Sequence, residues 1–160
     1  MARKNTKIGD VFVVKLGNDK KKYFQLIAFD LTQLNSDVIR VFKEEYPLEG
    51  DIDLIEIVNS EIDFYAHCVT KLGLKMSLWE KVGNIRELGN INILFRSSGD
   101  HPKIDISNNW WVWKVNEPQR YVGKLEGENL YAEIGSVIPP DSIIHRIKTG
   151  KYDFVYPDFE

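Results

Sequence analysis

The sequence has almost no cysteine and no long apolar run, and both absences limit the classes of protein to which the chain can belong. Cys68 is the only cysteine among 160 residues, so no disulfide within the chain can support the fold. No stretch approaches the roughly 20 apolar residues that a membrane-spanning helix needs. The basic N-terminus is followed by an apolar run of strand length, which is too short for a signal peptide. We therefore predict a cytoplasmic protein without a membrane segment.

Motifs for catalysis, metal binding and phosphate binding are also missing. His67, His101 and His145 lack the close spacing of a helical zinc motif, and Cys68 has no second cysteine with which to share a metal. The glycines fit no phosphate-binding pattern, and no serine stands in a G-x-S-x-G frame. His67 and Cys68 are adjacent, so in a strand they point to opposite faces rather than pairing as base and nucleophile. The sequence thus predicts no catalytic residues, no metal and no cofactor.

The residues that are present have the composition of a globular domain. Hydrophobic residues make up 43% of the chain and charged residues 28%, which is typical of a folded domain. The length fits a single domain over residues 1–160. The formal net charge of −3 gives no general attraction to nucleic acid and suits a basic partner better than an acidic one.

Strand-like runs occupy most of the chain. Residues 8–16 and 23–29 are β-branched and aromatic, and the turn signal Gly17-Asn18-Asp19 between them predicts an antiparallel hairpin. Because both runs are almost continuously apolar, we expect both of their faces to be buried. Further strands are predicted at 38–42, 64–69, 78–83, 93–96, 110–115 and 121–125. The large apolar residues that we expect to be buried are Phe12, Val14, Phe24, Leu26, Val41, Trp79, Trp111 and Trp113.

Helix signals occur at two places only. Asp51 followed by apolar residues at helical spacing predicts a short helix over 51–59 with Asp51 as its N-cap. Its apolar stripe consists of Ile52, Ile55, Val58 and Ile62. Pro139 and Pro140 open a second predicted helix, over 140–149, which Gly150 ends. The predicted fold is α+β, a single domain with a strongly curved, mostly antiparallel and partly barrel-like sheet and two short helices.

The most distinctive charge feature is a segment without any cation, residues 44–63. Its eight carboxylates are Glu44, Glu45, Glu49, Asp51, Asp53, Glu56, Glu61 and Asp63. Such a run is typical of a solvated helix face, and it also fits an anionic patch for a basic partner. We take the patch as a hypothesis. Its candidate partner-binding residues are Glu44, Glu45, Glu49, Asp51, Asp53 and Glu56.

Three tryptophans stand close together in the run Trp110-Trp111-Val112-Trp113. Trp111 and Trp113 share one face of the predicted strand, and Trp110 and Val112 share the other. We expect the first face to enter the core, since small domains use Trp as core filler. An exposed Trp110 would anchor a partner or stack on a sugar or base, so Trp110 joins the candidate partner-binding residues.

Four phrases occur in a recognisable order along the chain. They are Lys7-Ile8-Gly9-Asp10-Val11-Phe12, Leu78-Trp79-Glu80-Lys81-Val82-Gly83, Trp110-Trp111-Val112-Trp113 and Ser142-Ile143-Ile144-His145-Arg146-Ile147-Lys148-Thr149-Gly150. This order resembles the immunity protein 26 family of bacterial polymorphic-toxin systems. The resemblance implies a non-enzymatic protein that binds a cognate toxin domain and blocks its active site or an essential surface. It implies no catalytic residues.

Two other functions are compatible with the same residues. A binding module for a small molecule or carbohydrate would line a groove with the Trp-rich strand and with tyrosines. A hydrolase would need a site assembled from distant residues such as His67, His101 and Asp105.

Overall fold

Two mostly antiparallel β-sheets and three α-helices make up residues 5–101 and 103–159, which a computed structural model describes. This is the α+β class that the strand-like runs and the two cap signals predicted. Within the described residues neither sheet closes on itself, since each has two edge strands. The expected barrel-like character is therefore absent from this part of the chain.

The first sheet contains six strands from the N-terminal half. They are β1 Asp10–Leu16, β2 Lys20–Asp30, β3 Ser36–Phe42, β4 Tyr46–Pro47, β5 Ile62–His67 and β6 Glu80–Asn84. The order is β5-β3-β2-β1-β6 with antiparallel neighbours, and β4 pairs with the start of β2. The predicted β1–β2 hairpin is confirmed, because Phe12 lies opposite Phe24 and the two rings stack with centroids 5.0 Å apart.

The second sheet is smaller and contains four strands. They are β7 Leu94–Ser98, β8 Trp110–Lys114, β9 Arg120–Gly123 and β10 Glu133–Ile134. Their order is β10-β7-β8-β9, and the β10–β7 pair is parallel whereas the other pairs are antiparallel. The predicted pairing of the Trp-rich strand with the strand that follows it is confirmed, since Trp111 lies opposite Tyr121.

One of the two predicted helices has the predicted bounds. This helix, α3, spans Pro140–Thr149 and ends at Gly150, whose φ of 85° lies in the left-handed region that glycine favours. A 3₁₀-helix, Gly127–Tyr131, precedes β10. Among the helices of the described residues, none combines the length and apolar character needed to cross a membrane.

The other predicted helix is shorter than expected. This helix, α1, spans Leu54–Val58, because its N-cap is Asp53 rather than Asp51. The Asp53 carboxylate accepts a hydrogen bond from the Ile55 N–H at 2.9 Å, as an N-cap residue does. The predicted apolar stripe is also wrong at Ile55, which is 57% exposed.

A third helix, α2 at Thr70–Lys75, was not predicted. Gly73 indicated a turn at this place, but it lies inside the helix because the indole of Trp79 packs directly onto it. A Cβ built on Gly73 would lie only 1.9 Å from the Trp79 ring. The Trp79 indole N–H also donates to the Thr70 carbonyl at 3.0 Å. Glycine is therefore required here by packing rather than by a turn.

Both faces of the first sheet are covered, as the continuous apolar runs predicted. One face packs against α2 and α3, and its core includes Phe12, Trp79 and Ile143. The opposite face packs against α1 at one end and against the second sheet at the other. Of the eight apolar residues that we expected to be buried, seven are buried and Trp111 is half-buried.

A buried polar pair interrupts the second of these faces. Arg40 is 5% exposed and donates to the Gln25 side-chain oxygen and to the Glu87 carbonyl, each at 2.9 Å. The Gln25 amide donates in turn to the Ile85 carbonyl at 2.8 Å. These bonds hold the segment after β6 against the sheet. A side chain at Gly89 would collide with Arg40, because a Cβ there would lie 2.3 Å from the guanidinium.

Candidate functional site

All six carboxylates of the proposed patch lie exposed on one stretch of the fold. Two of them stand between β3 and β4, two in the loop after β4, and two at the start of α1. We call them the acidic surface: Glu44, Glu45, Glu49, Asp51, Asp53 and Glu56. The short strand β4 fixes this stretch, because Tyr46 pairs with Lys21 on β2.

Glu44 and Glu56 approach the same buried phenol from different elements. Tyr46 is 8% exposed, and its burial raises the pKa of the phenol above its ordinary value. The negative charges of Glu44 and Glu56 raise that pKa further, while a hydrogen bond with Ser60 opposes them. Since both charges act on Tyr46, Glu44 and Glu56 lie near the same residue although they are twelve positions apart in the sequence.

The last two carboxylates of the segment have different surroundings. Glu61 pairs with Lys43 at 3.6 Å, and both side chains are largely exposed. Asp63 faces Glu133, a half-buried carboxylate whose pKa is raised, first by burial and additionally by the charge of Asp63. Over the described residues, Glu61–Lys43 is the one ion pair that involves any of the eight carboxylates. Within the described residues, no ion pair therefore compensates the negative charge of the acidic surface.

One exposed apolar side chain accompanies these charges, and the sequence did not predict it. Ile55 precedes Glu56 in α1 and is 57% exposed. Apolar side chains beside charged groups are typical of binding surfaces, in which apolar contact contributes affinity and charge contributes orientation. No sequence signal separates Ile55 from the buried Ile57, because a helix of five residues fixes no long stripe.

Trp110 does not belong to any exposed surface, which corrects our expectation. It is fully buried, and its indole N–H donates to the Ser107 carbonyl at 2.8 Å. Tyr156 and Phe159 pack their rings against it at centroid distances of 6.2 and 6.4 Å. The C-terminal segment thus covers the face of the second sheet that carries Trp110, and Trp110 is a core residue.

The other two tryptophans of the run do not form a ligand groove. Trp113 is 3% exposed, and its indole N–H donates to the Asp30 carboxylate at 2.9 Å. Trp111 is half-buried and meets the exposed Tyr121 edge-on, with centroids 5.4 Å apart. A groove for a sugar would need several accessible rings, so the Trp-rich strand serves mainly as core.

His67 and Asp30 form a buried pair with both side chains 0% exposed. Burial lowers the pKa of His67, although the hydrogen bond with Asp30 opposes the shift, so the ring is neutral near neutral pH. Burial alone would raise the pKa of Asp30, but hydrogen bonds from Trp113, His67 and the Asn116 N–H outweigh it and lower that pKa. The charged carboxylate therefore accepts from donors on three elements.

The residues suggested for a hydrolase do not come together. His67 is fully buried, whereas His101 and Asp105 are exposed in the segment between β7 and β8. Cys68 is buried too, and its burial raises the pKa of the thiol, which disfavours the reactive thiolate. Throughout residues 5–101 and 103–159, no three His, Cys, Asp or Glu side chains are grouped so that they could hold a metal ion.

Comparison with known proteins gives one match. The sequence profile of a family described as Immunity protein 26 matches residues 7–104. This range contains the whole first sheet, α1, α2 and the acidic surface. It also contains the first two of the four phrases noted above, whereas the Trp-rich phrase and the α3 phrase lie outside it. No curated protein and no solved structure matches the chain.

Proposed function

The chain belongs to the immunity protein 26 family, and we propose that it binds and neutralises a cognate toxin domain of a bacterial polymorphic-toxin system without catalysis. We further propose that the acidic surface contacts the toxin. The observation that supports this contact best is that all six carboxylates are exposed and that, among the described residues, none of them forms an ion pair.

The negative charge of the acidic surface favours binding of a basic partner. The six carboxylates are exposed and repel one another, which slightly disfavours the free folded protein. A basic toxin surface would relieve this repulsion and would attract the acidic surface before contact. Such attraction can raise association rates towards ~10⁸ M⁻¹s⁻¹ at low salt. Fast association suits an antidote, since free toxin is harmful until it is bound.

Ile55 supplies the apolar contact in this proposal. Its side chain is 57% exposed, and it stands next to Glu56 on the same short helix. Complete burial of an aliphatic side chain of this size contributes about 1.5–3 kcal/mol, so burial of the exposed part of Ile55 against a partner contributes about 1–2 kcal/mol. The carboxylates then govern the association rate, while Ile55 governs mainly the dissociation rate.

Co-expression with a candidate toxin domain, sought in the gene next to this one, tests the function. We expect the unmodified protein to restore growth and to co-purify with the toxin domain. The triple variant Glu44→Lys, Glu45→Lys and Glu56→Lys should lose both effects. The matched control Asp105→Lys, Glu117→Lys and Glu126→Lys makes the same change in net charge at other exposed positions and should keep both. Asp53 is left unchanged because it caps α1.

The possible results separate the two halves of the proposal. Failure of the unmodified protein to protect cells or to bind the toxin would overturn the function. Full protection and co-purification by the acidic-surface variant would leave the function standing and reject this surface. A titration of toxin activity tests the absence of catalysis: inhibition by binding is complete at a fixed stoichiometry, whereas catalytic inactivation would proceed with far less protein.

A further inference from the structure

The first sheet has a gap at its edge beside β1. The edge strand β6 follows β1 only as far as Val13, which lies opposite Glu80. Strand β1 itself continues to Leu16 and stays paired with β2 over that length. Three residues of β1 therefore have a neighbouring strand on one side only. We call them the β1 edge: Val14, Lys15 and Leu16.

Within the described part of the chain, some backbone groups of the β1 edge have no backbone partner. In an antiparallel strand, the N–H and C=O groups of successive residues point alternately towards the two neighbouring strands. Either Lys15, or Val14 and Leu16 together, must therefore point these groups away from β2. Among the described residues, no backbone group from outside β2 bonds to them. The Lys15 side chain is exposed, and a cavity separates it from Ser77 and Leu78, which precede β6.

Two cavities meet at this edge, and Val13 and Lys15 line both of them. The smaller, of about 230 Å³, extends to Trp79 on the face of the sheet that packs against α2 and α3. The larger, of about 360 Å³, extends to Tyr23 on the opposite face. An added strand would point its side chains alternately to these two faces. Backbone pairing together with side-chain pockets is the usual basis of strand addition.

The charges around the β1 edge indicate what kind of segment it binds. Lysines outnumber carboxylates in both cavities: Lys15, Lys148 and Glu80 line the smaller one, and Lys15, Lys21 and Asp51 line the larger one. Lys20 lies opposite Leu16 on β2. A second copy of the chain is disfavoured, because antiparallel pairing of two β1 edges would place Lys15 opposite Lys15, and like charges directly opposite destabilise a strand pair. Carboxylates at the same positions would instead be attracted.

We propose that the β1 edge binds an extended acidic segment of a partner protein as an added β-strand. This surface goes beyond the proposed toxin contact, because it selects the opposite charge and is formed by β1. The two surfaces adjoin at the larger cavity, which Asp51 of the acidic surface also lines. Three residues of β1 give only a few backbone hydrogen bonds, each contributing about 0.5–1.5 kcal/mol. The lysines and the two cavities supply the rest of the affinity.

Two capped six-residue peptides test this proposal on the whole chain. One alternates Glu with Val, and the other alternates Lys with Val. We expect saturable binding of the acidic peptide with a dissociation constant below about 1 mM, slower hydrogen exchange at the outward-pointing amides of the β1 edge, and no binding of the basic peptide. Lys15→Glu should weaken binding about fivefold or more. The control Lys124→Glu, on an exposed residue after β9, should leave it unchanged.

Several results would overturn the proposal. They are an absence of saturable binding at 1 mM, equal binding of the basic peptide, slower exchange only outside the β1 edge, and equal weakening by the two charge reversals. Concentration-dependent dimers that Lys15→Ala strengthens would also overturn it, because removal of the repulsion between the two Lys15 side chains would assign the edge to a second copy. None of these results bears on the acidic surface, whose own test uses the toxin domain.

Discussion

The Nε2 atom of His67 lies 2.8 Å from Oδ2 of Asp30, and neither side chain is accessible to solvent. Asp30 ends β2 in the first sheet, and the same oxygen accepts the indole N–H of Trp113 from the second sheet at 2.9 Å. Its other oxygen accepts the Asn116 N–H at 3.1 Å. One buried carboxylate thus links the two sheets through hydrogen bonds, in addition to the apolar packing between them.

Removal of this carboxylate should weaken the fold strongly. The variant Asp30→Ala leaves donors of His67 and Trp113 buried without an acceptor. Breaking a buried pair in this way costs about 3–5 kcal/mol in the free energy of unfolding. Urea denaturation measures the loss. The exposed control Asp105→Ala should change that free energy by no more than about 0.5 kcal/mol, and a similarly small change for Asp30→Ala would contradict the assigned role.

Stability should also fall at acidic pH because of this pair. The pKa of His67 is lowered from 6.5 by burial, so the unfolded chain takes up a proton at His67 before the folded chain does. Stability therefore decreases as the pH falls below about 6.5. The pKa of Asp30 is lowered from 3.8, so its contribution is lost at still lower pH, in the same direction.

Urea midpoints measured from pH 8 to pH 5 test this dependence. The variant His67→Gln lacks the titrating ring, so its unfolding free energy should change less over this range than that of the unmodified protein. The exposed His101 offers a control, because His101→Gln should keep the original dependence. An identical pH dependence in all three proteins would show that His67 does not titrate as we infer.

Gly73→Ala and Gly17→Ala should change the stability of the fold by different amounts or in opposite directions. Gly73→Ala places a Cβ against the Trp79 ring, and overpacking of this kind costs about 1–3 kcal/mol. Gly17→Ala meets open space, so it should leave stability unchanged or raise it by up to about 1 kcal/mol. Thermal unfolding of both variants provides the comparison. Equal stability of the two would contradict the packing of Trp79 against α2.

Because Trp110 is buried, we expect its substitutions to change the stability of the fold and not the contact with the toxin domain. Trp110→Ala should reduce the free energy of unfolding by about 3–5 kcal/mol, because the ring fills the core beneath Tyr156 and Phe159. Trp110→Phe keeps most of that packing, and it should bind the toxin domain as the unmodified protein does. A loss of binding by a well-folded Trp110→Phe protein would show that Trp110 contributes to the interface with the toxin domain.

Local patterns predicted those parts of the fold that depend on neighbouring residues. The β1–β2 hairpin followed from two apolar runs and a turn, and α3 followed from its prolines and Gly150. The helix α2 could not be predicted in this way. Its glycine, Gly73, is needed because the Trp79 ring packs against it in the folded chain, and no local pattern shows this contact. The burial of Trp110 likewise depends on Tyr156, far along the chain.

The acidic surface was predictable in composition but not in shape. Eight carboxylates without a cation indicated exposed charge, and all of them are exposed. The meeting of Glu44 and Glu56 at Tyr46 depends on the pairing of β4 with β2, for which a two-residue strand gives no sequence signal. The β1 edge was not predictable either, since it exists only because β6 ends opposite Val13.

The association rate of the chain with its toxin domain, measured over a range of salt concentrations, tests the central claim most directly. Salt shortens the screening distance from roughly 10 Å at 0.1 M to roughly 3 Å at 1 M. The account predicts fast association that slows as salt rises. The triple variant Glu44→Lys, Glu45→Lys and Glu56→Lys should associate at least about tenfold more slowly at low salt, while its free energy of unfolding should change by no more than about 1 kcal/mol. Equal rates for the variant and the unmodified protein at low salt would contradict the account.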